Sequence, residues 1–320
     1  MRQPRLVTWM LLVGMALTNS DAVFGQTFPN KPIRMVTGNV GGGADFVARL
    51  IAQGISGPLG QPVIVDNRPA GPISGEIVAK AQPDGHTLLV GGSNFSIGTL
   101  LLQRAVYDPI KDFSPVTIVD SAPYALVVSP ATPANSVKEF IALAKAKPGE
   151  LNYASTATGG MLHLAAELFK SMAGIDVVRI PYKGAAPALT DLMGGRVHLM
   201  IPSATSAMPY LKSGKLKGLA VTTLQPSALA PGLPPVAASL PGFEAIGITG
   251  IYSPAKTPAA VVNQLNREIV RYIRTPEVKE KFFVAGSEVV GSSPAELATA
   301  LKTEMAVWGK VVKDGNIRGD

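Results

Sequence analysis

The sequence predicts an α/β protein of two lobes joined by a double crossing. Three observations carry that reading. Short β-branched runs alternate with amphipathic stretches, the rhythm stops and restarts near mid-chain, and two long extended runs, 116–130 and 243–254, flank the second group. Alternation of this kind argues for βαβ units around a largely parallel sheet with both faces covered. The chain has 320 residues, 47% hydrophobic and 16% charged, enough apolar side chains to fill such cores.

The first residues read as an export signal. Arg2 and Arg5 precede an apolar run, Leu6 to Leu17, that is too short to span a bilayer. Val23 and Gly25 then stand at the −3 and −1 positions of a cleavage site before Gln26. Residues 1–25 are therefore expected to be a signal peptide. Removing them takes away two arginines and one aspartate, so the formal charge of +7 becomes +6. The remaining basic residues are interspersed with acids, as in "LNREIVRYIRTPEVKEKF", and form no basic stripe with aromatics, which argues against nucleic-acid binding. The chain has no cysteine. An exported domain of this kind would have no disulfide and no lipid-modified N-terminal cysteine, and would rely on a full-sized core as a free monomer.

The first group then reads strand 32–37, helix from Asp45 to Ile55, strand 62–67, helix 75–82 and strand 86–92. After the first long run, a helix begins at the N-cap Ser136 and stops at Pro148-Gly149. Strand 151–156, the helix ending at Gly174, "DVVRIPY", "APALTDLMGG", "RVHLMIPS", "TSAMPYLKSG" and "KLKGLAVTT" continue the alternation. A Pro-rich loop, 225–242, leads into the second extended run. The remainder is helical, with Thr257 as a cap, Pro258 in a first turn and a last helix from Ser293 to Val312. The expected division is 26–123 with 251–320 in one lobe and 124–250 in the other, the C-terminal helices returning to the first.

In open α/β sheets, ligands sit beyond the carboxyl ends of the strands, where loops enter helices. Four such loops are small and rich in Gly, Ser and Thr: "GNVGGGAD", "GGSNFS", "STATGGM" and "YKGAAPA". Helix N-termini carry unpaired N–H groups and partial positive charge, so several aimed at one cleft would hold an anion. A single loop is equally well explained as a tight turn needing positive φ. None matches a nucleotide-phosphate signature.

Candidates for catalysis are sparse. His86, His163 and His198 are isolated, and His163 falls on the apolar helix "MLHLAAELF". No clustered metal ligands occur, and no cofactor is implied. Ser155 and Ser203 lack a nucleophile-elbow context. Asp45 suits a helix cap and Asp191 an ordinary polar face.

Several segments, in order, carry a resemblance: "FPNKPIRMVTGNVGGGADFVARL", "VIVDNRPAG", "AQPDGHTLLVG", "YDPIKDFSPV", "NYASTATGGMLHLAAELF", "RIPYKGAAPALTDLMGGRV" and "GIYSPAKTPAAVVNQLN". The chain resembles the extracytoplasmic solute receptors of the tripartite tricarboxylate transporter family, the Bug or TctC proteins. The resemblance implies a two-lobed periplasmic binding protein fold of the type II-like, Venus flytrap kind with a double-stranded hinge. It implies capture of a small carboxylate, without catalytic residues, and delivery to membrane subunits of a transporter. First-lobe contacts would come from Asn39, Gly41, Gly42, Gly43 and Asp45, with Ser93 and Asn94. Second-lobe contacts would come from Ser155, Thr156, Thr158, Gly159 and the turn Lys183, Gly184, Ala185 and Ala186. His163, Asp191 and His198 would support them. The chain departs from the family pattern at Thr37 to Val40, where Pro-Phe is common, and at His198, where Asp is common. A receptor that feeds a membrane signalling sensor, and an exported hydrolase using Ser155 or Asp45, are the alternatives.

Overall fold

The computed structural model describes residues 28–68, 72–102, 105–156 and 158–318; the signal peptide expected at 1–25 lies outside them. In the first lobe, β1 (Ile33–Thr37), β2 (Val63–Asn67) and β3 (Thr87–Gly92) are linked through α1 (Gly43–Leu59) and α2 (Ile73–Ala79), and α3 (Ser93–Leu101) follows. The chain then crosses along β4 (Phe113–Pro123) into β5 (Ala125–Val128). The second lobe contains α4 (Val137–Ala146), β6 (Asn152–Ser155), α5 (Met161–Ala173), β7 (Val178–Pro181), α6 (Ala185–Met193), β8 (Leu199–Met200), α7 (Ala204–Lys212) and β9 (Lys217–Val221). Return is along β10 (Ile246–Pro254), followed by α8 (Ala259–Ile273), α9 (Pro276–Ala285), β11 (Glu288–Val289) and α10 (Pro294–Asp314).

Two sheets result, ordered β11-β4-β10-β3-β1-β2 and β7-β6-β8-β5-β9. Both are mixed, which corrects the expectation of largely parallel sheets. Only β1 with β2 and β3, and β6 with β7 and β8, run parallel. The crossing strand β10 traverses its sheet in the reverse direction and pairs antiparallel with β3 and β4; β5 does the same between β8 and β9. The long extended runs are therefore shared sheet strands as well as connections.

Burial explains the helix faces. On one side of the first sheet, Ile51 and Ile55 of α1 and Leu265 and Ile269 of α8 pack against Met35 and Val90. On the other, Phe95, Tyr107, Phe113 and Tyr252 form an aromatic cluster under Leu297 and Leu301 of α10. The far half of α10 and part of α3 reach across: Trp308, Val311 and Ile97 are buried with Phe140 and Phe169 of the second lobe. A capping box of Ser293 and Glu296 starts α10, and Ser136 caps α4. Thr257 does not cap α8, whose N-cap is Pro258; its hydroxyl donates to the Pro254 carbonyl at 2.7 Å and closes the preceding turn instead. No helix among the described residues is long and apolar enough to cross a membrane.

Candidate functional site

Between the lobes lies a cleft of about 810 Å³, within the usual size of a small-molecule site. Its first-lobe wall is built from the ends of β1 and β3. There the chain turns from strand into α1 and α3, and the N-caps of both helices are glycines, Gly42 and Gly92, with no side-chain cap. Their leading N–H groups therefore lack a side-chain acceptor and face a concave surface.

The triple glycine resolves into separate tasks. Gly41 has φ +79, a left-handed turn that a side chain would strain. A Cβ on Gly42 would lie 3.3 Å from the Asn39 carbonyl, whereas one on Gly43 meets nothing within 4 Å. Asp45 holds the loop in shape. It accepts from the Gly41 amide at 2.8 Å, from Arg49 Nε at 3.1 Å and from Asn67 Nδ2 at 2.8 Å. Burial would push this carboxyl up, but those bonds outweigh it and hold it below the usual carboxylate range. Asp45 is thus a strut that is ionised at neutral pH, with its oxygens already engaged.

Asn39, Gly41, Gly42, Gly43, Asp45, Ser93 and Asn94 all line the cleft, so the first-lobe candidates come together. The second-lobe candidates are placed differently. The lobe reaches the cleft through Tyr124, Met161, Ser203 and Thr205; Ser155, Thr156, Thr158, Gly159, Lys183, Gly184, Ala185 and Ala186 are not in its lining. Arg179, a strand residue without a local motif, organises the first of those loops. Its guanidinium donates to Ser155 Oγ at 2.7 Å, Thr158 Oγ1 at 3.2 Å and the Thr156 carbonyl at 2.9 Å. Asp191 accepts from Tyr182 Oη at 2.9 Å and Arg196 Nη1 at 2.8 Å, fastening α6 to the end of β7. His198 is hydrogen-bonded to Asn152 and lies away from the cleft.

His163 supports the loop before α5. Its Nδ1 accepts from the Gly159 amide at 3.1 Å, and burial, with Arg179 nearby, drives its pKa down to about 4. As pH falls, protons therefore bind the unfolded chain before the folded one. The stability tied to neutral His163 is complete above about pH 6.5 and is lost as pH drops toward about 4. Unfolding followed against pH should show this slope in the parent, and His163→Gln, which can accept the same bond without titrating, should flatten it. An unchanged slope would mean that other groups set the acid limit.

Three further cleft residues come from the crossing strands and the turn after α9. Thr249 of β10 pairs with Gly92 of β3 on one side and Asp120 of β4 on the other, so the three lie on one rung of the sheet. Ser287 lies beside them. No lysine or arginine occurs in the lining among the described residues. Whatever positive potential the cleft offers an anion therefore comes from main-chain amides and helix ends.

A family model described as "Tripartite tricarboxylate transporter family receptor" matches residues 47–317. The chain belongs to the TctC receptor family. Among relatives, a UPF0065 protein in the tcbD-tcbE intergenic region of Pseudomonas sp. strain P51 is 35% identical over 94% of this chain and 91% of the relative. Protein BugT of Bordetella pertussis is 33% identical over 91% of each chain. Among solved structures, Rpa4515 of R. palustris with adipate is 35% identical with a TM-score of 0.72, covering 92% of this chain and all of that one. MatC of Rhodopseudomonas palustris with bound malate is 30% identical with a TM-score of 0.69, covering 89% of this chain and all of that one. These solved structures share the fold of this chain.

Proposed function

We propose that this TctC receptor works in the periplasm as a monomer, enclosing a small carboxylate in the interlobe cleft and passing it to membrane subunits of a tripartite transporter. The observation that carries the proposal is the pair of glycine-capped helix N-termini opening onto a cleft without basic side chains. Relatives of the same fold hold adipate and malate. Hydrogen bonds to a charged acceptor contribute about 1.5–3 kcal/mol each, and micromolar binding needs about 8 kcal/mol after ordering costs of several more. A few amides on one open wall fall short of that. Closure, which excludes water and brings the α5 and α6 loops toward the guest, supplies the difference.

The hydrolase reading fits less well. Ser155 is buried and holds Arg179, and the Asp45 oxygens are bonded to Gly41, Arg49 and Asn67, so neither is presented to a substrate. Calorimetric titration with adipate, malate and shorter mono- and dicarboxylates tests the proposal, with X-ray scattering alongside. Micromolar binding, compaction of the protein and recovery of the acid unchanged are expected. Binding of neutral solutes but of no acid, or conversion of the acid to product, would overturn it. Retrieval of a sensor kinase in place of transporter subunits from detergent-solubilised membranes would favour the signalling alternative.

A further inference from the structure

Asp120 is the only carboxylate in the cleft lining, among the described residues, with an oxygen left over. It is 7% exposed, and its Oδ1 makes no hydrogen bond among the described residues. The other lining carboxylate, Asp45, has its oxygens engaged by Arg49, Asn67 and Gly41. Burial pushes the Asp120 carboxyl up, and the hydroxyls of Ser287 and Thr249 with its own amide pull it only partly back. A buried acceptor without a donor costs about 1–3 kcal/mol, and more when charged, so such a group is kept where something else satisfies it. No lysine or arginine lines the cleft to do so. Ser93 Oγ, at the start of α3, is also buried without a hydrogen-bond partner, although the Glu304 carboxyl lies close enough to feel it. Both residues that carry these atoms line the same cleft, and of the two only Asp120 is a carboxylate.

Their placement gives the cleft two unlike ends. Gly92, Thr249 and Asp120 occupy one rung on neighbouring strands, so the amide-rich start of α3 and the acid stand about 10 Å apart, two strand spacings. A dicarboxylate spanning that rung would press its second negative charge against Asp120. A molecule with a carboxylate at one end and an N–H donor at the other meets both demands. We infer that Asp120 is a specificity-determining residue that selects carboxylates bearing a nitrogen donor, an ammonium or amide, over their nitrogen-free counterparts. The inference rests on the carboxylate-receptor reading above and names the subclass of acid.

Matched pairs test it: aspartate against succinate, glutamate against glutarate, γ-aminobutyrate against butyrate, each titrated calorimetrically into the parent and into Asp120→Asn and Asp120→Ser. In the parent the nitrogen-bearing member of at least one pair should bind tenfold or more tighter. Both variants should fold, judged by circular dichroism and melting, and should lose most of that preference while still binding the nitrogen-free acid. Equal affinity within every pair, or a preference that survives both substitutions, would overturn the inference and leave the receptor for carboxylates standing. An Asp120→Asn protein that binds succinate no better and aspartate no worse than the parent counts as survival of the preference. Amines without a carboxylate binding as tightly as the amino acids would instead overturn the carboxylate reading itself, and this inference with it.

Discussion

Replacing Gly43 by leucine should lower affinity for the bound acid tenfold or more, about 1.4 kcal/mol, while stability stays within about 1 kcal/mol of the parent. The two outcomes separate because of where the residue lies. Gly43 is the first residue of α1, lines the cleft, and has nothing within 4 Å of the position a Cβ would take. The first atom of a side chain therefore enters there without a clash. The side chain would occupy space at the helix start and screen the amides on which the anion depends. Gly41→Ala serves as the contrast: at φ +79 an L side chain costs about 1–2 kcal/mol, so this variant should lose stability first. Titration with the tightest acid of the panel, alongside thermal melting, checks both. Unchanged affinity in Gly43→Leu would mean that the triple glycine serves only as a turn, and that the ligand sits elsewhere.

Much of this architecture is legible in the residue pattern because strand and helix periods are local. The alternation from Pro32 to Gly92 and its restart at Ser136 follow from apolar spacing and caps, and the small-residue loops stand out by composition. The first wall of the cleft was readable for that reason. The second wall was less so. Ser203 and Thr205 follow a strand and open a helix with the same small residues as the loops that were singled out, so that signal was present in "PSATS". Asp120 and Thr249 carry no such signal. They sit inside long extended runs, and only the antiparallel register of β10 between β3 and β4 places them on a rung with Gly92. Register over such distances is settled by tertiary packing, which a reading of local period does not contain. Arg179 is hidden in the same way: it lies in a strand, and its fork finds Ser155, Thr156 and Thr158 only because β6 and β7 pair in parallel.

The hinge offers the other large effect. Thr222, fully buried, joins the two crossing segments through its backbone and its side chain. Its amide donates to the Tyr124 carbonyl at 2.9 Å, and the Ala245 amide donates to its carbonyl at 3.0 Å. Its hydroxyl accepts from the Tyr124 amide at 2.9 Å and donates to the Ala245 carbonyl at 2.6 Å. Thr222→Val preserves shape but removes the hydroxyl, leaving an amide and a carbonyl without partners where the strands pass between lobes. At about 1–3 kcal/mol per buried unsatisfied group, offset where water reaches the half-buried Tyr124, the expected loss is about 2–4 kcal/mol. Thr222→Ser keeps the hydroxyl and gives up one methyl, so its loss should be about 1 kcal/mol. Urea unfolding of both variants distinguishes the causes. A larger loss for valine than for serine assigns the effect to the hydroxyl that links Tyr124 to Ala245; equal losses would reduce Thr222 to a packing residue and leave the two crossings held by backbone bonds alone. If the hydroxyl matters, the valine protein should also bind its acid more weakly than the serine protein, because the crossings that must bend together on closure would be fastened by backbone bonds alone.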